Sequence, residues 1–163
     1  MSNAPFTNIL VYLDGSEGSL SALMYAIMLS RSTGARLHAL YVINTKALGD
    51  LVKRRIFIDQ EMNEYLEDLK KDAERHLRHA ERTAMQKDVN ITCVKAEGSP
   101  HSEVMKYIKE NHIDLLALAS INTIRSRREE LVSESDRMLR TSPCPVIVVK
   151  DTDDIWQIFE EDF

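Results

Sequence analysis

The chain has 163 residues, 44% of them hydrophobic, which is enough apolar material for the core of one compact domain. The formal net charge of -5 gives no general attraction to phosphate backbones or anionic lipid, so the sequence predicts no nucleic-acid partner. The N-terminus has no basic patch followed by an apolar run, and no segment approaches the roughly 18 apolar residues of a membrane helix, so a cytoplasmic protein with no membrane partner is expected.

The N-terminal segment has the pattern of a buried parallel strand followed by a helix. Residues 8–13 are an almost continuous apolar run, and Asp14-Gly15-Ser16 closes it as a turn. Apolar residues at helical spacing between Leu20 and Ile27 then predict a helix, which Gly34 ends.

The middle of the chain predicts two strands around a long helix. Residues 36–43 are compatible with a second strand, and residues 44–57 lack periodicity and are predicted to be a loop with helical fragments. Residues 58–85 have apolar positions every three or four residues and predict one amphipathic helix. Residues 89–96 are the predicted third strand.

The C-terminal third continues the alternation. Ser99 and Pro100 predict a helix start with a capping hydroxyl, and Asn111 is the predicted end. Residues 113–119 are a predicted central strand, residues 133–140 a capped helix, and residues 146–149 the fifth strand.

Five alternations of strand and helix predict an α/β fold with a single open parallel sheet and helices on both faces. Ligands of such sheets bind beyond the carboxyl ends of the strands, where the strand order reverses. The loops after the first and fourth strands are therefore the predicted site.

Two segments resemble the universal stress protein family. Residues 9–19, Ile-Leu-Val-Tyr-Leu-Asp-Gly-Ser-Glu-Gly-Ser, resemble its opening strand and turn, and residues 114–149 resemble its C-terminal half, with the ending Leu-Arg-Thr-Ser-Pro-Cys-Pro-Val-Ile-Val-Val. The resemblance covers roughly residues 8–150. It implies a Rossmann-like fold, similar to the adenine nucleotide alpha-hydrolases, with strand order 3-2-1-4-5 and usually a dimer. Residues 1–150 are then the domain, and residues 151–163 an acidic and aromatic tail.

Some members of this family bind ATP or AMP through Gly-x2-Gly-x9-Gly-Ser/Thr after the fourth strand. Aligned on the shared ending, the three glycines fall on Ala119, Asn122 and Val132, and the hydroxyl residue on Ser133. Glycine permits positive φ and lets phosphate approach the backbone, whereas β-branched Val132 adopts such a conformation only at high cost. The resemblance therefore implies weak ATP binding or none.

The remaining predicted nucleotide contacts have two interpretations each. Ser133 is a helix N-cap in the favoured interpretation and a phosphate ligand in the other, with Glu134 and Asp136 placed to repel an anion. Arg125 and Arg127, with Arg128, form either a solvated basic loop or a phosphate clamp.

Two further positions come from the resemblance. Family members that bind nucleotide place a carboxylate near the nucleoside at the position of Asp14, and Val42 lies near where they hold adenine. Asp14 is equally well explained as a turn residue after a strand.

Other kinds of site are not predicted. His76 and His79 are three residues apart, but a solvated helix face is preferred over a metal site, and Cys93 and Cys144 are interpreted as buried small hydrophobic residues. The sequence contains no nucleophile elbow, Walker loop or dinucleotide glycine fingerprint. A receiver domain is not predicted either, because such a domain has a phosphoacceptor aspartate after the third strand and an acidic pair after the first. In this chain Ala96-Glu97-Gly98 and the single Asp14 stand at those places.

The predicted function is a non-enzymatic stress-response regulator that acts by binding other proteins, with no cofactor. The alternative is an ATP- or AMP-binding switch that uses Asp14, Ser133 and the arginine loop. Val146, Ile147, Val148 and Val149 form a predicted edge strand and homodimer interface, since no proline or lysine protects it. The apolar residues of the tail predict that it docks on the dimer partner or on its own domain.

Overall fold

A computed structural model describes residues 3–54, 59–120, 133–150 and 152–162. The strands are β1 Asn8–Leu13, β2 Arg36–Asn44, β3 Ile91–Gly98, β4 Leu115–Ala119 and β5 Val146–Val149. They form one sheet of order β3-β2-β1-β4-β5, and every pairing is parallel. The predicted α/β fold and strand order are confirmed.

The helices occupy both faces of the sheet. They are α1 Glu17–Thr33, α2 Thr45–Lys53, α3 Asp59–Met85, α4 Pro100–Glu110, α5 Glu134–Thr141 and α6 Asp153–Gln157, which continues into a π-helical turn at Ile158–Asp162. Among the helices of the described ranges, none has the length and apolar character needed to cross a bilayer.

Alternating side chains of β1 divide the core into two layers. Ile9, Val11 and Leu13 pack with residues of α1 and α3 on one face of the sheet. Leu10 and Tyr12 pack with residues of α4 and α5 on the other face. Burial on both faces explains why β1 reads as a continuous apolar run rather than an alternating one.

Two predicted strand starts were wrong by two residues, and helix termination explains both. The Val89 N–H donates to the carbonyl of Ala84 at 3.0 Å, so residue 89 belongs to the C-terminal cap of α3 and β3 begins at residue 91. The Ile113 N–H likewise donates to the Ile108 carbonyl at 3.0 Å, and β4 begins at residue 115. These backbone groups satisfy the last carbonyls of the preceding helices.

The segment predicted as a loop with helical fragments contains a nine-residue helix, α2. The Asn44 side chain caps it by accepting a hydrogen bond from the Ala47 N–H at 3.0 Å. Leu48 is buried beneath it. An asparagine cap and one buried apolar position give too short a pattern for periodicity to reveal.

The tail packs on its own domain. Phe159 is only 5% exposed and joins the core layer of α1 and α3, with Ile155 packed beside it. The Lys87 ammonium lies 4.8 Å from the centre of the Phe159 ring. Residues 152–154 are exposed, whereas Phe159 anchors the helical end of the chain.

Candidate functional site

A cleft of about 320 Å³ lies at the carboxyl ends of β1 and β4, where the strand order reverses. We refer to it as the switch-point cleft. Three predicted site residues, Asp14, Ala119 and Ser133, line it together with Tyr12, Ser16, Asn44, Pro100, Ser120, Glu134 and Ser135. The structure therefore brings strand ends and helix starts together at the place that the sequence predicts.

The other predicted site residues do not line this cleft. Val42 is 7% exposed and packs in the core layer of α4 and α5, two residues before β2 ends. Asn122, Arg125, Arg127 and Val132 lie outside the described residues. A contact between the arginine loop and a phosphate thus stays a prediction.

Asp14 forms the turn between β1 and α1. Its Oδ1 accepts hydrogen bonds from the Ser16 N–H at 2.9 Å and from the Ser16 hydroxyl at 2.5 Å. The Ser16 Oγ in turn accepts from the Ser19 N–H at 3.2 Å, which caps α1. The Asp14 carboxylate is exposed, so it serves the turn and still faces the cleft.

Ala119 narrows the cleft against the first turn of α1. A Cβ placed on Gly18 would lie 3.3 Å from the Ala119 Cβ, a distance that would force one of the two to shift. A methyl group thus occupies the position where the family pattern has its first glycine. Less of the main chain is open to a ligand there than with glycine.

Ser133 is the N-cap of α5. Its Oγ accepts a hydrogen bond from the Asp136 N–H at 3.2 Å, as expected of a capping serine. The predicted capping role of Ser133 is confirmed, and a contact between Ser133 and a phosphate stays a prediction.

Glu134 joins the starts of two helices. Its Oε2 accepts a hydrogen bond from the His101 N–H at 2.9 Å, and its Oε1 lies 4.0 Å from Nη1 of Arg137. His101 belongs to the first turn of α4, where backbone N–H groups have no partner within the helix. A carboxylate of the protein therefore occupies an anion position at the edge of the cleft.

This contact corrects the predicted cap of α4. Ser99 stands at the N-cap position, but its side chain makes no capping hydrogen bond. The carboxylate of Glu134 accepts the hydrogen bond of the His101 N–H in the first turn instead.

The cleft is acidic. Asp14 and Glu134 line it together with Tyr12, and the pKa of the Tyr12 phenol is raised well above its ordinary value by burial first and then by these two charges. Among the described residues that line the cleft, none is a lysine or arginine. An anionic ligand would meet two carboxylates, of which Glu134 is offset in part by Arg137 at 4.0 Å.

His76 covers the turn beside the cleft, so its interpretation as part of a solvated helix face was wrong. Its ring stacks on Tyr41 with centroids 5.5 Å apart and planes 9° apart. A Cβ on Gly15 would lie 3.0 Å from the His76 Nε2, and Gly15 has φ +84°. Glycine permits both this backbone conformation and the close approach of the ring. His79 is exposed as predicted.

Neither cysteine is as buried as the sequence analysis expected, since both are only partly covered. Burial, then the nearby charge of Glu81, raises the pKa of the Cys93 thiol to about 11. Within the described ranges, no three His, Cys, Asp or Glu side chains gather closely enough to hold a metal ion.

A wider groove of about 850 Å³ lies at the opposite, amino end of β1, β2 and β3. It is lined largely by polar and charged side chains, among them Arg36, Asp88 and His112. Its size alone does not make it the site, because helix starts and the reversal of strand order lie at the carboxyl end.

The family model of the universal stress protein family matches residues 5–150. The chain belongs to the universal stress protein family. It is 30% identical to universal stress protein YxiE of Bacillus subtilis over 151 residues, which cover 89% of this chain and 99% of the relative. The solved structure of universal stress protein UspA from Lactobacillus plantarum has a TM-score of 0.71 and 27% identity, covering 90% of this chain and 99% of that one.

Two structures with the same fold contain a nucleotide. One is a universal stress protein in complex with cAMP, with a TM-score of 0.66, 18% identity and coverage of 91% of this chain and 100% of that one. The other is a universal stress protein family protein from Arabidopsis thaliana with AMP bound, with a TM-score of 0.64, 16% identity and coverage of 91% and 94%. At these identities the likeness to this universal stress protein is one of fold.

Sequence reasoning missed Asn44, Tyr12 and the Tyr41–His76 stack. Asn44 ends β2 as Asp14 follows β1, and carboxyl ends of parallel strands meet at one edge, so its position was a usable signal. Tyr12 read only as a core residue of the first strand. The stack joins residues 35 positions apart on two elements, and no local pattern indicates it.

Proposed function

We propose that this universal stress protein is a non-enzymatic stress-response regulator of the cytoplasm that acts by binding other proteins, and that it binds adenine nucleotides weakly or not at all. The observation that carries the proposal is the position of Glu134. Its carboxylate holds the His101 N–H at 2.9 Å and lines the switch-point cleft, so a phosphate would compete with a charge that is already in place.

Three features support the same conclusion. Ala119 brings a methyl group against Gly18, the Ser133 hydroxyl oxygen is engaged by the Asp136 N–H, and the Asp14 carboxylate is engaged by Ser16. A ligand that bound Ser133 or Asp14 would have to replace a hydrogen bond that is already formed, and a ligand at Ala119 would meet the methyl group.

Exposed apolar side chains support protein binding as the mode of action. Val148, Trp156 and Ile158 are 44%, 39% and 44% exposed. A partner protein bound at β5 or at the tail would remove such side chains from water.

The alternative is a nucleotide-responsive switch, and the relatives that contain cAMP and AMP favour it. In that case Arg125 and Arg127 would supply the positive charge that the described part of the cleft lacks, by side-chain contacts to phosphate. Asp14 would then lie near the nucleoside.

Isothermal titration of nucleotide-free protein with ATP, AMP and adenosine distinguishes the two. The regulator predicts no saturable heat with ATP or AMP, and a dissociation constant in the low micromolar range would refute it. The switch predicts such a constant and its loss in Arg125→Ala or Arg127→Ala. ATP turnover above background in the same samples would contradict a non-enzymatic role.

Glu134→Gln tests the cause of weak binding. The amide keeps an acceptor oxygen for the His101 N–H but removes the charge, so affinity for ATP should rise while affinity for adenosine stays the same. Glu81→Gln is the matched control, because Glu81 is on α3, lies beside Cys93 of β3 and does not line the cleft. Equal effects of the two variants would show that only net charge matters.

We also propose that the protein forms a homodimer through β5. This strand pairs with β4 on one side and is the edge of the sheet. Val148 is exposed, Val146 and Ile147 are half-buried, and Val149 is buried, so the strand offers backbone groups and one apolar side chain to a second copy.

A further inference from the structure

A pocket that is partly open to solvent lies where the tail packs on its own domain. A cavity of about 320 Å³ lies between α1, the C-terminal part of α3 and the tail, and we refer to it as the tail pocket. On one side are Leu20, Leu23 and Met24 of α1, and on the other are Trp156 and Phe159 of the tail. The family match ends at residue 150, so residues beyond the shared domain complete this pocket.

The base of the tail pocket is apolar and well covered. Leu23, Met24 and Phe159 are 1%, 4% and 5% exposed. The pocket is partly open to solvent, and an apolar molecule that enters it gains dispersion contacts with the apolar lining while both lose contact with water. Its volume of about 320 Å³ lies at the lower end of the roughly 300–1,000 Å³ found for ligand pockets, so a small apolar molecule is the occupant of matching size.

Charges at the rim disfavour an ion as the occupant. Lys87 and Glu160 both line the pocket, and their opposite signs leave no net charge at the rim to favour a ligand of either sign. The Lys87 ammonium also lies over the Phe159 ring, 4.8 Å from its centre. An ion entering the pocket would lose hydration without a single dominant counter-charge.

The rim also offers hydrogen-bonding groups. The side chains of His79 on α3 and of Gln86 in the turn after α3 are exposed and line the pocket. The Thr83 hydroxyl donates to the carbonyl of His79 at 2.7 Å and is therefore engaged within its own helix. Polar groups thus meet the solvent-facing end of a ligand, while the apolar base meets its body.

We propose that the tail pocket binds a small, uncharged, mostly apolar molecule that carries a single hydrogen-bonding group. The site is separate from the switch-point cleft and goes beyond the proposed function. Because the ligand touches both the tail and α1, its binding stabilises the docked tail.

Octanol, octanoate and octylammonium test the proposal with the full chain. They share one alkyl chain and differ in the charge of the head group. Trp156 is the only tryptophan and lines the pocket, so its fluorescence reports occupancy directly. We expect a saturable shift in emission with octanol and at least about tenfold weaker binding of the two ions. No saturable shift with octanol, or equal binding of either ion, would overturn the proposal.

Paired variants at Thr83 locate the site. Thr83→Phe fills the pocket and should weaken octanol binding at least about tenfold, whereas Thr83→Val keeps the volume and should leave it unchanged. Leu20→Phe fills the same space from α1 and serves if Thr83→Phe fails to fold, as judged by circular dichroism. Octanol binding that is unaltered in a folded pocket-filling variant would place the molecule elsewhere and refute the assignment.

Discussion

Replacing Phe159 with alanine should release the tail from the domain. Phe159 is 5% exposed, and full burial of such a side chain contributes about 1.5–3 kcal/mol. A phenylalanine in a closed core costs about 3–5 kcal/mol when truncated, but here the terminal segment can undock instead of leaving a cavity. The loss is therefore limited to the free energy of docking, and the docking equilibrium should fall by about tenfold to a hundredfold.

Two measurements follow the release of the tail. Hydrogen exchange of the amides in residues 153–162 should accelerate by that factor in Phe159→Ala, and the emission of Trp156 should shift to the red as it loses its contacts. The sheet amides should keep their protection, because β1 pairs with β2 and β4 on either side and helices of the domain cover both faces of the sheet.

Ile158→Ala is the matched control, since this neighbour is 44% exposed and contributes little burial. It should leave exchange and emission close to those of the parent protein. Unchanged tail protection in Phe159→Ala, or equal acceleration in the two variants, would refute the reasoning that burial of the ring holds the tail.

Three further perturbations test other contacts. Gly15→Ala and Gly34→Ala each place a Cβ at positive φ, +84° and +78°, which costs roughly 1–2 kcal/mol of stability in each variant. Only the new Cβ at position 15 also meets His76, so urea denaturation should show a larger loss of stability in Gly15→Ala, and adding His76→Ala should remove the difference. Equal losses in the two variants would contradict this. Burial first, then a nearby arginine, lowers the pKa of His38, so the contribution of this residue to stability is full above its ordinary pKa of 6.5 and is lost as the pH falls toward the lowered value. His38→Gln should therefore flatten that part of a plot of the urea midpoint against pH. An unaltered slope would count against this reasoning. Val148→Lys puts a charge in the proposed β5 interface and should weaken dimerisation in sedimentation experiments, whereas Val148→Thr should not, and an unchanged dissociation constant in the lysine variant would exclude this edge.

The order of helices and strands along the chain was predictable because both faces of this sheet are covered, whereas the strand order within the sheet was implied by the family resemblance. Buried parallel strands such as β1 and β4 read as continuous apolar runs, and each is followed by a helix signal. Element boundaries were less accurate where one residue serves two elements. Val89 and Ile113 have strand-like side chains, yet their N–H groups end helices, and backbone pairing of this kind leaves no mark in composition.

The candidate site was predictable in place but not in its contacts. Asp14, Ala119 and Ser133 follow strands or begin helices, and topology alone puts them at one edge. The bond from His101 to Glu134 joins residues 33 apart and depends on how α4 packs against α5. Glu134 read as a first-turn carboxylate, and only the fold shows that it serves a second helix.

Helix α1 connects the two surfaces and also keeps them separate. Ser16 and Gly18 at its start meet the switch-point cleft and Ala119, whereas Leu20, Leu23 and Met24 meet the tail pocket. Both ends of the helix are fixed, by the Ser16 cap and by the Gly34 N–H bond to the Ser30 carbonyl at 2.8 Å. Coupling between two sites requires an element with two alternative states, and the caps at both ends of α1 disfavour a second arrangement of this helix. Nucleotide affinity at the cleft and occupancy of the tail pocket should therefore vary independently. The changes in binding free energy caused by Glu134→Gln and by Thr83→Phe should then add in the double variant.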